Sequence, residues 1–192
     1  MSNMTAEQAL ENAKGLTFEK VWATMQESHQ KTMETISELS KNIDGLQKNM
    51  GGLQNTLGKL IETMFTSNLR AKFNDIGYEF TRQTCNTKYT RDNKTITEVD
   101  AILENGDFIL LAEVKTEMKN EFVDDHLERI EKVREYMDEH NDNRKIIGAV
   151  AGGIVPEDVI RYAHKNGLFV IMQSGESSTI ADSPKNFKER IW

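Results

Sequence analysis

Glu98, Asp100, Glu113 and Lys115 stand inside two apolar runs, Ile96-Thr97-Glu98-Val99-Asp100-Ala101-Ile102-Leu103 and Phe108-Ile109-Leu110-Leu111-Ala112-Glu113-Val114-Lys115. Burying a charge without a partner is expensive, so charges at these positions point to a site. A tight loop centred on Asn105-Gly106 would set residue 98 opposite 113 and residue 100 opposite 111. Side chains on a strand alternate between faces, which puts Glu98, Asp100, Glu113 and Lys115 on one face and Val99, Ala101, Ala112 and Val114 on the other. Acids and a lysine on one patch of sheet suit a divalent cation bound through oxygen. The carboxylates serve as hard ligands, some positions stay open to water and phosphate, and a positive charge stands nearby. Glu117-Met118-Lys119 repeats the Glu-x-Lys spacing but lies outside an apolar run. The competing reading is a partly solvated hairpin with charge pairs across it. Ile, Leu, Val and Ala on both faces favour instead a central strand covered on both sides.

The elements that must hold these residues follow from periodicity. Gly77-Tyr78-Glu79-Phe80-Thr81 reads as a first strand, followed by a polar connection through Asn93 in which Arg82, Lys88, Arg91 and Lys94 could grip a phosphate backbone. Residues 117 to 140 form an amphipathic helix with Phe122, Leu127, Ile130, Val133 and Met137 inward and His126 at the surface or boundary. Ile146 to Ala151 is a buried strand, and Gly152-Gly153 with Pro156-Glu157 marks a loop and a helix start. A helix over 156 to 165 stops at Asn166-Gly167, and Leu168 to Met172 returns as a strand. Gly175-Glu176 turns a final hairpin, and Phe187, Ile191 and Trp192 anchor the tail. Neither G-x-x-x-x-G-K-[ST] nor G-x-G-x-x-G occurs, so no nucleotide cofactor is implied.

The first third is organised differently. Ile36, Leu39, Ile43, Leu46, Met50, Leu53, Leu57, Leu60 and Met64 alternate three and four apart, a coiled-coil seam with Leu at the d positions. Running the register backwards gives Thr32, His29, Met25, Trp22 and Phe18. The seam predicts a homo-oligomer through residues 36 to 64, with a parallel dimer favoured. Such a dimer would gather two globular domains at one end. Gly51-Gly52 is the expected bend. Past Met64 a second apolar stripe, Ile61, Phe65, Leu69, Phe73 and Ile76, predicts that the same helix runs on to cover a sheet. Glu62, at an f position, faces away from the seam and towards that sheet.

Taken together, an acid on one strand, a short turn and Glu-x-Lys on the next resemble the PD-(D/E)XK nuclease superfamily. Asp100 takes the place of the motif aspartate, Glu113-Val114-Lys115 the E-x-K element, and Val99 the motif proline. The order of elements over residues 58 to 173 resembles that superfamily too. The stretches Lys145–Gly152 and Arg161–Ile171 look like uncharacterised bacterial members with an N-terminal coiled coil. The resemblance implies an α/β fold with a restriction-endonuclease-like mixed sheet flanked by helices and preceded by a long coiled-coil helix. It implies a coiled-coil region over 1–66 and a nuclease-like domain over 67–192. It further implies Mg²⁺ or Mn²⁺ held by Asp100, Glu113 and the Val114 carbonyl. Lys115 would orient or deprotonate a water, and Glu62 and Glu98 would serve a second ion or position water. Glu98 could instead pair only with Lys115. The implied reaction is hydrolysis of a nucleic-acid phosphodiester, with DNA favoured over RNA.

Composition bounds these expectations. The chain has 192 residues, enough for one ordinary domain and an extension. No apolar run approaches the ~20 residues of a membrane span, and the first residues lack a secretory pattern, which predicts a cytoplasmic protein. Cys85 is the one cysteine and there are four histidines, so neither an internal disulfide nor a structural zinc site is expected. From Ser67 onward 18 Lys/Arg face 23 Asp/Glu, whereas tight nonspecific duplex binding usually needs a basic surface. A second class of function therefore stands beside the nuclease: a non-catalytic oligomerisation or adaptor protein on a nuclease-like fold.

Overall fold

The structure, a computed structural model, describes residues 17–175 and 177–192. The chain divides into two compact units, Met1–Leu53 and Gln54–Trp192.

Helix α1 (Phe18–Thr66) contributes to both. Thr17 caps its start, the hydroxyl accepting from the Lys20 N–H at 3.3 Å. In the first unit the helix carries its seam to solvent: Ile36, Leu39, Ile43, Leu46, Met50 and Leu53 are all exposed, as are Phe18, Trp22 and Met25. Ser40 and Gln47 border the seam on one side and Thr35, Asn42 and Asn49 on the other, all uncharged. The charged residues of this stretch, Glu38, Lys41, Asp44 and Lys48, lie further round the helix.

The second unit is built on a six-stranded sheet in the order β1-β2-β3-β4-β5-β6. The strands are β1 (Arg82–Arg91), β2 (Lys94–Glu104), β3 (Phe108–Glu117), β4 (Lys145–Ile154), β5 (Phe169–Ser174) and β6 (Ser177–Ile180). Pairing is antiparallel from β1 to β3, parallel from β3 to β5 and antiparallel again at β6. Helix α3 (Asn120–Glu139) connects β3 to β4, and α4 (Glu157–Lys165) connects β4 to β5. Both pack on one face, where Ile130, Val133 and Val159 meet Ile102, Leu111, Val150 and Val170. The opposite face is covered by Phe65 at the end of α1 and by Leu69 and Phe73 of α2 (Leu69–Asp75), which meet Leu103, Leu110, Ala112 and Ile147. Two-sided cover explains why β3 and β4 read as unbroken apolar runs.

Several expectations are corrected. Residues 77–81 are not a strand, because Gly77 and Glu79 have φ of 98° and 53°. Tyr78 and Phe80 instead stack at 5.6 Å between centroids, and the Asn74 side chain bonds both the N–H and the carbonyl of Phe80. The expected polar loop is β1 itself, turned into β2 at Asp92-Asn93, where φ is 51° and 60°, the combination a two-residue hairpin turn needs. Its cations are largely spoken for: Arg82 pairs with Glu104, Lys88 with Glu98 and Arg91 with Glu139. The helix runs unbroken into the sheet unit as far as Thr66, but it does not continue through Ile76 as expected. α1 stops at Thr66, whose hydroxyl bonds the Glu62 carbonyl at 2.7 Å while that of Ser67 bonds the Met64 carbonyl at 3.0 Å. Ile76 is exposed, and so is Ile191, while Phe187 and Trp192 pack on the core. Gly152-Gly153 lies within β4 and not in a loop. Of the expected final turn, Glu176 lies outside the described residues, and Gly175, with φ of 59°, leads from β5 into β6.

The β2–β3 register also differs. Ile102 pairs with Leu111 and Glu104 with Ile109, two residues from the expected alignment. Neither Asn105 nor Gly106 has positive φ, so the loop is not the two-residue type. The Asn105 carboxamide instead accepts from the N–H groups of Asp107 and Phe108, at 2.9 and 2.7 Å, which enlarges the turn. A shift of two preserves faces.

Candidate functional site

Strands β2 and β3 supply the centre of the site. Their ladder runs from Glu104↔Ile109 to Ala101↔Ala112, and beyond it the Val114 N–H donates to Asp100 Oδ2 at 2.8 Å. A side chain thus takes a donor that a strand neighbour would otherwise satisfy. The strand alternation breaks at this point. Val99 joins the α3 side with Ile102, whereas Ala101 belongs to the opposite cluster with Val114. This corrects the expectation that Val99 shares a face with Ala101. Across the hairpin, Asn86 lies between the pairs Cys85↔Ala101 and Thr87↔Val99. Its φ of 52° is a left-handed conformation that asparagine tolerates better than most residues.

Glu113 is the most buried acid here, its side chain 3% exposed. Oε1 accepts from Lys115 Nζ at 2.6 Å, and Oε2 accepts from Arg129 of α3. Lys115 rests 5.7 Å from the centroid of the Phe122 ring. Asp100 is half-buried, and among the described residues it has no salt bridge and its Oδ1 has no hydrogen bond. Burial, and next the charge of Glu113, push its carboxyl above the ordinary carboxylate range, against the pull of the Val114 N–H, Lys115 and Arg129.

Glu62, on the last turns of α1, is partly buried. Desolvation first and then the charge of Asp100 raise its pKa, and Lys115 opposes them. Its charge is therefore coupled to that of Asp100, and Glu98 adds a smaller repulsion on Glu62 itself. Glu98 pairs with Lys88 at 3.6 Å and is half-exposed, so the alternative of a Glu98–Lys115 pair is not what the chain adopts.

His126 is fully buried and not at the surface or boundary as expected. Its Nε2 faces the Leu111 carbonyl at 3.1 Å, the donor geometry of an Nε2–H tautomer, and Nδ1 has no partner among the described residues. Burial, reinforced by Arg129, lowers its pKa to about 3. Arg129 is the residue that sequence reasoning missed. It lies one turn from His126, on the edge of the inward stripe Val123, His126, Ile130 and Val133, and that position is the signal that could have found it.

Whether these residues suit a metal depends on the donor set. Among the described residues no three His, Cys, Asp or Glu side chains are grouped to hold an ion, so a cage made wholly of protein donors is not offered. Mg²⁺ does not require one, because it binds through one or two carboxylates and keeps several waters. Asp100, half-buried without a counter-ion beside a second carboxylate, fits that mode.

Comparison with protein-family models, with curated proteins and with solved structures finds no match. The functional reading therefore stands on these residues and their geometry. None of the helices among the described residues is long and apolar enough to cross a membrane.

Proposed function

We propose that the chain is a divalent-metal-dependent nuclease of the PD-(D/E)XK type, hydrolysing phosphodiester bonds of nucleic acid, DNA in preference to RNA, and self-associating through the α1 seam. The observation that carries this reading is the meeting of Asp100, Glu113 and Lys115 where the β2–β3 ladder ends, with Asp100 left without a counter-ion.

Asp100 and Glu113, with the Val114 carbonyl, would hold Mg²⁺ or Mn²⁺. The ion, when bound, lowers the pKa of a water and stabilises charge on the phosphate. Lys115 is placed to orient the attacking water or to neutralise the charge that develops at phosphorus, its ammonium held beside Glu113 and its side chain 36% exposed. Burial of Glu113 keeps bulk water from competing for its oxygens. Glu62 adds negative charge from the α1 side and Glu98 from β2, which suits a second ion or water positioning. The uncharged, solvent-facing seam from Ile36 to Leu53 supports association with further copies.

The test is calorimetric titration with Mn²⁺, natural chain against Asp100→Ala, followed by incubation with plasmid, single-stranded DNA and RNA. The reading expects metal binding and cleavage that the variant lacks. Equal or absent binding in both would end it.

One observation favours a non-catalytic oligomerisation or adaptor protein instead: both oxygens of Glu113 are already engaged by cations. That reading expects no Mn²⁺ binding above the variant's, together with retained self-association.

A further inference from the structure

Resting on the nuclease reading, we infer that Arg129 is a resident counter-ion that a divalent cation must displace from Glu113, and that the released guanidinium then takes a phosphate oxygen of the nucleic-acid backbone.

Glu113 offers two oxygens, one on Lys115 and one on Arg129. An ion shared with Asp100 needs at least one of them. Lys115 sits two residues along the same strand, and its ammonium also lies over the Phe122 ring. Arg129 reaches the carboxylate from another element, and its departure would leave β3 undisturbed. It lies at the margin of α3, with Ile130 and Val133 fully buried beside it, and its side chain is 24% exposed. The side chain is thus partly open to solvent while its Nη1 meets the carboxylate.

Its donor count points the same way. A guanidinium has five N–H donors, and among the described residues only Nη1 of Arg129 is engaged. The remaining donors are left for an anion. Planar, paired N–H groups match phosphate oxygens better than a lysine does. A cation arriving between Asp100 and Glu113 also replaces the positive charge that Arg129 supplies, so Glu113 stays compensated when the arginine leaves. The exchange keeps each buried charge partnered, and metal and nucleic acid would bind cooperatively through it.

The experiment compares the natural chain with Arg129→Gln and Arg129→Lys by calorimetric titration with Mn²⁺. It adds anisotropy of a labelled 20-base-pair DNA duplex in Ca²⁺. The inference expects Arg129→Gln to bind Mn²⁺ about tenfold more tightly and the duplex several-fold more weakly, with Arg129→Lys between it and the natural chain in both. Should the Gln variant not fold, nitrogen-15 NMR of the arginine side chains in the natural chain gives the answer. Saturation with Mg²⁺ must then speed hydrogen exchange at the Arg129 guanidinium. Equal or weaker Mn²⁺ binding by Arg129→Gln, or a guanidinium unmoved by Mg²⁺, overturns the inference and leaves the nuclease reading intact. Absence of Mn²⁺ binding in natural chain and variants alike overturns both.

Discussion

Replacing Glu113 by Gln tests whether the charged core of the site also holds the fold. Glu113 is 3% exposed and joins β3 to α3 through Arg129. Removing one partner of a buried ion pair costs ~3–5 kcal/mol when the other stays buried. Here the stranded cations, Lys115 at 36% and Arg129 at 24% exposure, can turn towards water, and the amide oxygen still accepts one bond, so the loss should be about 2 kcal/mol. Urea unfolding in a Trp22→Phe background, with Trp192 as reporter in the sheet unit, should show the midpoint fall by about 1 M. In a double-mutant cycle with Arg129→Gln the two losses should fall short of additivity by about 1 kcal/mol. A Glu113→Gln chain within ~0.5 kcal/mol of the natural one and additive with Arg129→Gln would refute the view that this carboxylate anchors α3 on the sheet.

Three more outcomes can be checked. Gly148→Ala should destabilise the sheet unit by ~1–3 kcal/mol in the same urea assay, because its Cβ would clash with Leu168 Cδ2 and Ile130 Cδ1. Folded His126 titrates near pH 3, below its ordinary value, so the unfolded chain binds a proton that the folded chain refuses. Stability is then full above about pH 6.5 and falls on acidification by up to ~1.4 kcal/mol per pH unit. The raised Asp100 tilts the opposite way, so the His126 share is read as the difference in slope from His126→Gln. Leu46→Asp with Leu53→Asp should abolish self-association by light scattering while the urea midpoint reported by Trp192 stays unchanged.

What could be read in the sequence was whatever rested on apolar periodicity. The buried runs of β3, β4 and β5, the stripe of α3 and the seam of α1 each bury or present one face, and such faces repeat at 2 or 3.6 residues. The proximity of Asp100, Glu113 and Lys115 was legible for the same reason, since charge inside an apolar run has few places to go. Features made by polar groups meeting across the fold were not legible. β1 is an edge strand of Thr, Gln and Lys with little alternation, and its cations are satisfied by Glu98, Glu104 and Glu139 from other elements. The β2–β3 register turned on the side chain of Asn105. His126 and Arg129 lie on or beside the inward stripe of α3, but what they meet there, the Leu111 carbonyl and Glu113, only the folded chain brings beneath them.

The neutral borders of the seam have a practical consequence. With Ser40, Gln47, Thr35, Asn42 and Asn49 flanking it, the proposed contact between copies would involve no ion pairs for dissolved salt to screen, whereas any hold on a polyanion would weaken steeply as electrolyte rises. Raising potassium chloride should therefore strip bound polynucleotide while the multimer persists, and the same neutrality removes the electrostatic cue by which strands of such bundles choose head-to-head or head-to-tail alignment.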